Sequence, residues 1–324
     1  MGVHRLRVRD LLGPEASLCH RALALEPGVS LPPFVDHHVH LHLINEHRLP
    51  AGGIAAVLDL GGDPVSLARH REGMPHLAYA GAFLTAPGGY PSGRGWAPDS
   101  IVRTVTDGSS HPGVAGGAAT AVDEQASFGA SVIKVALNAS AGPVLDAGIL
   151  AAVVAAAHDR GLPVVAHVEG AGMTARAVEA GVDAFAHAPF SELLDASLIA
   201  RAAASGQRWI STLDIHAEDP AAARTAAANV AAFAGAGGTV LYGTDLGNGD
   251  RPVGVLPGEL AALDASGIRG PALVAALVDP WPAAPASGVS TFVPGPPPAS
   301  LGAVAEWLGR ATVVPTEELI HDDH

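Results

Sequence analysis

The chain has 324 residues, of which 48% are hydrophobic and 15% charged, so it is too hydrophobic for a disordered protein and long enough for one large core or two smaller ones. Its net charge of -14 leaves no basic surface for nucleic acid or for an anionic membrane. The single cysteine, Cys19, cannot form an intramolecular disulfide, and the N-terminal residues lack the apolar segment of a signal peptide. No apolar run reaches the roughly 18 residues of a membrane span. We therefore expect a globular, cytoplasmic enzyme.

The distribution of basic residues is unusual. Seventeen arginines accompany a single lysine, Lys134, while histidine occurs 16 times. A chain that uses arginine almost everywhere retains a lysine where the chemistry of the amine is needed, because arginine supplies positive charge equally well. Lys134 is therefore a candidate functional residue.

Short apolar segments rich in β-branched residues alternate along the chain with segments rich in alanine and leucine. The predicted strands are 34–38, 54–60, 76–84, 131–137, 163–168, 183–188, 208–213 and 239–245. The predicted helices are 120–129, 145–160, 171–180, 192–204 and 220–235, and the glycines at 129, 161, 181 and 206 are placed to end four of them.

Eight strands with intervening helices over about 210 residues predict an α/β fold of the (β/α)8 TIM-barrel type. A doubly wound open sheet fits the same alternation, but no G-x-G-x-x-G follows the first strand, so a dinucleotide-binding enzyme loses its main support. We assign residues 32–284 to the barrel, and residues 1–31 with 285–324 to a small, reduced β-rich appendage. The proline-rich segment in 285–300 is interpreted as a stiff spacer.

The end of the first predicted strand carries a run of histidines. Side chains alternate faces along a strand, so His38 and His40 point the same way, about 6 to 7 Å apart at their Cα atoms, and can bind one metal ion. His42 shares this face if the strand continues, whereas His37 points to the opposite side and is interpreted as structural. The pair predicts a metal site at this strand end.

Four further polar residues lie at or near the carboxyl ends of other predicted strands, where barrel enzymes have their active sites. They are Lys134, His167, His187 and Asp245. A single histidine at a strand end is more often a hydrogen-bonded core residue than a ligand. The joint occurrence of all six residues favours a metal centre.

In this order the motifs resemble those of the amidohydrolase superfamily. Its H-x-H motif corresponds to His38-Val39-His40, preceded by the usual Pro33-Phe34-Val35-Asp36, and GASVIKVAL, RGLPVVAHVEG, AVEAGVDAFAHAPF and VLYGTDLG carry the other four residues. Among members of the superfamily, these segments are most similar to the imidazolonepropionase-like and Xaa-Pro dipeptidase-like branch. The resemblance covers about residues 30–280.

The resemblance implies a binuclear centre, most suitably with two Zn ions and with Mn, Fe or Co as other occupants. One metal would bind His38, His40 and Asp245, and the other would bind His167 and His187. An N6-carboxylated Lys134 would be shared between them, and burial of the strand favours the neutral amine that carboxylation needs. A bridging water would become a metal-activated hydroxide, and Asp245 would carry its proton to the leaving amine.

The alternative for Lys134 is an unmodified buried lysine, paired with Asp245 in a barrel that holds one metal or none. In the same family, an arginine after H-x-H marks dihydroorotase-like members, but Leu41-His42 follows here. The absence of that arginine counts against a dihydroorotase-like reaction. The terminal segments are also shorter than the family's usual closing sandwich, which leaves a subunit contact in a homo-oligomer as a replacement.

Residues on predicted loops at the same end are candidates for substrate contacts. The glycine-rich loop TAPGGYPSGRGWAP contributes Tyr90, Arg94 and Trp96, and the segment after the seventh predicted strand contributes Asp214 and His216. A solvated loop with one packed aromatic residue is an equally good interpretation of the first segment.

We predict hydrolysis of an amide or cyclic amide C–N bond in a small molecule, such as a dipeptide, an N-acyl amino acid or an imidazolone-like ring. An ester, lactone or phosphotriester hydrolase with the same binuclear site is the first alternative. A non-catalytic barrel would be expected to have lost a ligand, and the set of six is complete.

Overall fold

The computed structural model of the chain describes residues 8–70 and 73–322. Contacts divide these residues into two compact units: a first unit of residues 8–57, 73–77 and 241–322, and a second unit of residues 58–70 and 78–240. No helix in the described ranges is long and apolar enough to cross a membrane.

The strands are short, as predicted. They are β1 (Ser17–Arg21), β2 (Pro27–Leu31), β3 (Val35–Val39), β4 (Ala56–Asp59), β5 (His76–Tyr79), β6 (Phe83–Thr85), β7 (Val102–Thr104), β8 (Ile133–Asn138), β9 (Val164–Glu169), β10 (Ala184–Phe185), β11 (Arg208–Ile210), β12 (Thr239–Leu241), β13 (Val289–Pro294), β14 (Thr312–Pro315) and β15 (Leu319–His321).

The α-helices are α1 (Pro64–Ala68), α2 (Ala118–Ser127), α3 (Ala147–His158), α4 (Met173–Glu179), α5 (Ala196–Ala204), α6 (Pro220–Gly235), α7 (Pro257–Ala265), α8 (Pro271–Val278) and α9 (Val304–Leu308). Four of them begin at an aspartate whose carboxylate accepts hydrogen bonds from free N–H groups of the first turn, namely Asp63, Asp146, Asp195 and Asp219. The four predicted terminal glycines have φ values between 69° and 90°, which the end of a helix favours.

The second unit is organised by a seven-stranded sheet with the order β12, β11, β10, β9, β8, β6, β7. The pairs β6–β7, β6–β8, β8–β9, β9–β10 and β10–β11 are all parallel. Helix α6 packs on this sheet through Phe233, whose ring stacks on Trp209 of β11 at 3.9 Å between centroids. Because parallel strands end at the same edge, their last residues lie together.

In the first unit, strands from both ends of the chain form a five-stranded sheet with the order β14, β13, β2, β1, β15. Its neighbouring strands are antiparallel, with Phe292 opposite Ser30 and Cys19 opposite both Gly28 and His321. Strands β3, β4 and β5 form a separate three-stranded sheet. The protein is thus a mixed α/β protein with a parallel sheet.

Several elements differ from the prediction. The segment 76–84 is not one strand, because Gly81, with φ 75°, interrupts it and separates β5 from β6. Strand β7 and helices α1, α7 and α8 were not predicted. The segment 285–300, interpreted as a spacer, contains strand β13, and the C-terminal segment supplies β14 and β15.

Candidate functional site

The six predicted metal ligands are divided between the two units. His38, His40 and Asp245 belong to the first unit, and Lys134, His167 and His187 belong to the second. All six are buried, with between 1% and 7% of each residue exposed. The two groups are described separately.

In the first group, two imidazoles converge on one carboxylate oxygen. The Nε2 atom of His38 lies 3.2 Å from Oδ1 of Asp245, and the Nε2 atom of His40 lies 3.3 Å from the same oxygen. The two imidazole rings are 5.3 Å apart between centroids, with an angle of 69° between their planes. The alternation of side chains predicted for His38-Val39-His40 is therefore confirmed.

Backbone hydrogen bonds hold the segment after β12 against β3. The amides of His37, Asp245 and His40 donate to the carbonyls of Tyr242, His38 and Leu246 respectively, at 2.8 to 3.0 Å. Asp245 itself has φ 54°, a left-handed conformation that is rare for a residue other than glycine. Its second oxygen, Oδ2, accepts a 2.8 Å hydrogen bond from the side-chain amide of Asn248.

A second carboxylate, that of Asp36, ties the same two segments together from within the core. Its Oδ1 accepts hydrogen bonds from the amides of His38 and Thr244, both at 3.1 Å, and its Oδ2 accepts from the Thr244 hydroxyl. The residue is 0% exposed, and burial raises the pKa of its carboxyl from 3.8 to about 7. Asp36 therefore positions the strand that carries His38.

The neighbouring histidines have different surroundings. His37 is completely buried, with Nδ1 2.7 Å from the carbonyl oxygen of Tyr242 and Nε2 3.0 Å from that of Asp279, which agrees with a structural role. His42 does not continue the alternation, because β3 ends at Val39 and a 3-10 helix begins at Leu41. The side chain of His42 is exposed.

Gly247 allows the chain to pass close to His40. Its φ is 108°, and a Cβ atom at this position would lie 2.9 Å from Cβ of Leu43 and 3.1 Å from Cβ of His40. A side chain would therefore meet both strain and steric overlap beside the predicted ligand.

In the second group, Lys134 lies in the middle of the parallel sheet. It is 1% exposed and is paired in register with Phe83 of β6 and Val165 of β9. Its Nζ atom lies 5.6 Å from the centroid of the Phe83 ring. Ile133 and Val135 on either side are completely buried, so the lysine is desolvated as predicted.

His167 and His187 lie close together with their rings nearly perpendicular and 4.9 Å apart between centroids. Nε2 of His167 is 3.3 Å from Oε2 of Glu169, and Nδ1 of His187 is 2.9 Å from the hydroxyl of Thr212. In metal sites, a ligating histidine commonly uses its other nitrogen to contact a protein oxygen that fixes the ring. Glu169 and Thr212 are in position for this role.

Two more features distinguish this group. The side-chain amide of Asn138 donates a 2.7 Å hydrogen bond to Glu169, and the hydrogen bond with His167 lowers the pKa of the Glu169 carboxyl. Thr212 is completely buried and has φ 42°, although β-branched residues disfavour the left-handed region. Strained backbone of this kind is concentrated at functional sites.

The candidate substrate residues divide into packed and exposed ones. Tyr90 is half-buried, and its ring stacks on His167 at 5.0 Å and 27°. Trp96 is half-buried against Tyr90 and Phe83, while Arg94 is exposed, with its guanidinium carbon 5.9 Å from the Tyr90 ring centroid. The loop is thus anchored by two aromatic residues instead of one.

The second substrate segment forms the 3-10 helix Leu213–His216. His216 is 8% exposed, and its ring lies 4.3 Å from that of Phe190 between centroids. Asp214 at the start of this helix is half-buried. His216 is therefore packed against Phe190.

The donor set of the first group fits a divalent metal ion. Zn–N bonds of about 2.0–2.1 Å place neighbouring ligand atoms of a tetrahedral site about 3.3 Å apart. The 3.2 and 3.3 Å separations from Asp245 to the two histidines match that edge. Two neutral imidazoles and one carboxylate are also a common donor set for zinc and related ions.

Several residues that contact the two groups were not singled out from the sequence motifs. Asn138 and Glu169 are the last residues of β8 and β9, and alternation places Glu169 on the same face as His167. That parity was available from the sequence. Asp36 belongs to the motif before H-x-H, but the sequence indicated no contact for it. No sequence pattern pointed to Thr212 or Asn248 as supports, because both lie on irregular segments after strands.

Comparison with known proteins places this geometry in context. No family model matches the chain, and no curated protein matches it. Solved structures that resemble it include a Xaa-Pro dipeptidase with methionine bound in its active site, at a TM-score of 0.69 and 17% identity, covering 90% of this chain and 86% of that one. An amidohydrolase structure has a TM-score of 0.66 and 20% identity over 91% of this chain and 87% of its own.

An ochratoxinase from A. niger is similar at a TM-score of 0.70 and 17% identity, covering 88% of this chain and 82% of its own. The protein thus shares its fold with these three hydrolases, as the motifs in its sequence predicted. At these identities the likeness concerns the fold alone.

Proposed function

We propose that the protein is a metal-dependent hydrolase that cleaves an amide or cyclic amide C–N bond of a small molecule. The observation that carries the proposal is the convergence of His38 and His40 on one oxygen of Asp245, at the spacing of metal ligands. Three structures with the same fold are a dipeptidase, an amidohydrolase and an ochratoxinase. Their names support amide chemistry for this chain.

We further propose that residues 32–284 form a (β/α)8 barrel, with 1–31 and 285–324 as its appendage, and that all six ligands serve one binuclear site. The parallel pairing of strands β6 to β11 and the hydrogen bonds between β3 and the segment after β12 support a barrel. In that site His38, His40 and Asp245 would hold one metal, and His167 and His187 the other.

Bound divalent metal, two Zn ions in our proposal, would polarise the scissile carbonyl and acidify the attacking water. Asp245 would accept the proton of the attacking water and return it to the leaving nitrogen. Asn248 donates to Oδ2 of Asp245, so it would keep the carboxylate turned toward the reaction. Thr212 and Glu169 would hold the rings of His187 and His167 in place.

Lys134 is proposed to be N6-carboxylated and shared between the two metals. Its buried, apolar strand environment opposes a charged ammonium group, so the neutral amine needed to react with carbon dioxide is favoured. A carbamate also explains why this position holds the single lysine in a chain with seventeen arginines, because a guanidinium cannot form one.

Substrate recognition is assigned to residues around the second group. Tyr90 stacks on His167 and would lie beside a bound substrate, with Trp96 holding the loop and the exposed Arg94 available to an anionic group. His216 is a further candidate contact. We propose that the partner is a small-molecule substrate and that the protein binds neither nucleic acid nor a membrane.

The test is turnover by purified, zinc-loaded protein of a panel of dipeptides, N-acyl amino acids and cyclic amides. We expect hydrolysis of at least one amide, loss of more than about a hundredfold in kcat for Asp245→Asn, and no change for Asp159→Asn, which alters an exposed aspartate. No amide turnover combined with turnover of lactones, esters or phosphotriesters would overturn amide hydrolysis and favour the alternative reaction.

A further inference from the structure

The hydroxyl group of Thr85, the last residue of β6, is buried without a hydrogen-bond partner among the described residues. The residue is 0% exposed, and its backbone carbonyl accepts from the amide of Val105, so only the side chain is unsatisfied. Leaving a buried hydroxyl unpaired costs stability, and such groups in native proteins call for an explanation. A partner that the unmodified chain lacks would supply one.

The strand register shows which face Thr85 occupies. Phe83 is paired with Lys134 and Leu84 with Val135, so Thr85 is level with Ala136, the small residue two positions after the lysine. Phe83 and Thr85 are on the same face of β6 because side chains alternate. The Phe83 ring lies 5.6 Å from Nζ of Lys134, so the Thr85 hydroxyl belongs to the face on which the lysine amine lies.

The loop after β6 closes over this hydroxyl. A Cβ atom at Gly89 would lie 2.5 Å from Oγ1 of Thr85 and 2.4 Å from the carbonyl oxygen of Pro143, so only glycine allows the loop to pass here. The next residue, Tyr90, stacks on His167. Bulk water is therefore kept from the hydroxyl, and its partner must come from the interior.

We propose that Thr85 is a positioning residue whose hydroxyl donates a hydrogen bond to a carbamate oxygen on Lys134. The inference rests on the proposed function, in which Lys134 is carboxylated. The Thr85 hydroxyl makes no hydrogen bond with the unmodified amine. A carbamate extends the side chain beyond Nζ by a carbon and two acceptor oxygens, which gives the hydroxyl a partner on the face that it shares with the amine.

The carbamate forms from the neutral amine and carbon dioxide. The Nζ lone pair forms a bond to the carbon of carbon dioxide, one C=O π pair moves onto its oxygen, and a proton leaves Nζ to water. The negative charge is then spread over two oxygens with about four acceptor positions. Metal ligation would use some of them, and a hydroxyl donor would stabilise a remaining one as a charge-assisted hydrogen bond.

The experiment measures carbamate occupancy directly. Wild-type protein and variants, freed of metal and then loaded with zinc, are titrated with ¹³C-labelled bicarbonate, and the carbamate carbon is followed by ¹³C NMR. Thr85→Val removes the hydroxyl at constant shape, and Thr85→Ser keeps it. Thr120→Val is the matched control, because the Thr120 hydroxyl is likewise buried without a hydrogen-bond partner among the described residues, but on helix α2.

We expect Thr85→Val to raise the bicarbonate concentration for half-occupancy by about tenfold to a hundredfold, the range for a hydrogen bond to a charged group. Thr85→Ser should remain within about threefold of wild type, and Thr120→Val should not change. Equal titrations for Thr85→Val and Thr120→Val would overturn the role of Thr85 and leave the proposed function intact. A wild-type protein with no carbamate signal would overturn both this inference and the carboxylated Lys134 of the proposed function.

Folding of the variants provides a second measurement. Since the hydroxyl is unpaired without the carbamate, Thr85→Val freed of bicarbonate and metal should melt at or above the wild-type temperature, and Thr85→Ala offers the same deletion with less bulk. A large drop in melting temperature of bicarbonate-free Thr85→Val would contradict an unpaired hydroxyl and overturn the inference.

Discussion

Replacing Asp36 by asparagine tests the energetics of the first ligand group. The carboxyl is completely buried, and its pKa is raised from 3.8 to about 7, chiefly by burial. A raised carboxyl pKa means that the folded state binds a proton more tightly than the unfolded state. Below about pH 4 the carboxyl of Asp36 is protonated in both the folded and the unfolded state, so it does not affect stability. As the pH rises from 4 toward 7, the carboxyl ionises in the unfolded state but stays protonated in the folded state, and the free energy of unfolding falls progressively.

The size of the effect follows from the shift. About three pKa units, at 1.36 kcal/mol each, correspond to roughly 4 kcal/mol of stability lost between pH 4 and pH 8. Asparagine cannot ionise, and its oxygen can still accept from the amides of His38 and Thr244, while its amino group can donate to the Thr244 hydroxyl. Metal-free Asp36→Asn should equal wild type near pH 4 and exceed it by about 4 kcal/mol near pH 8.

The assay is urea unfolding of both proteins in chelator across this pH range, so that other titrating groups cancel in the difference. Asp195→Asn is a control with the opposite pH dependence. Hydrogen bonds from Ser197 and Leu198 lower the pKa of that exposed carboxyl, so the stability that it contributes is lost as the pH falls. A difference in the free energy of unfolding between wild type and Asp36→Asn that is independent of pH, or that grows on acidification, would show that burial does not raise the pKa of Asp36.

Three further predictions concern the ligands and their supports. Lys134→Arg should fold but bind at most one zinc per chain by elemental analysis, and two bound metals with normal turnover would contradict the carbamate. Thr212→Val removes the hydrogen bond to Nδ1 of His187 and should weaken zinc binding about 10- to 100-fold in a chelator competition. Thr212→Ser should restore the affinity. Equal affinity in both variants would show that the Thr212 hydroxyl does not support His187. Gly247→Ala introduces a Cβ atom 2.9 Å from Cβ of Leu43 at a backbone φ of 108°, and it should lower the free energy of unfolding by about 1–3 kcal/mol. An unchanged urea midpoint would show that alanine is not strained at this position.

The regular elements could be predicted because each follows from local chemistry. Helix α6 has the predicted bounds of 220–235, since an aspartate caps it and proline begins it. His38 and His40 share a face because they are two residues apart on a strand. These inferences need only the alternation of a strand and the capping preferences of a helix.

The supporting residues could not be predicted because they depend on contacts between distant segments. Asp36 reaches Thr244 across more than 200 residues of sequence, and Thr212 meets His187 through an irregular turn with a positive φ. Strand β7 was missed because it follows a glycine- and proline-rich loop and has only three residues. Glu169 was the exception, since its spacing from His167 was visible in the sequence.

We propose that one lysine, four histidines and one aspartate form a two-metal hydrolytic centre. The decisive measurement is a high-resolution crystal structure of zinc-loaded protein grown in bicarbonate, with data collected at the zinc edge. We expect two anomalous peaks and a branched extension of density from Nζ of Lys134 lying between them. Unbranched density at Lys134, with a single peak or none among the six residues, would contradict it.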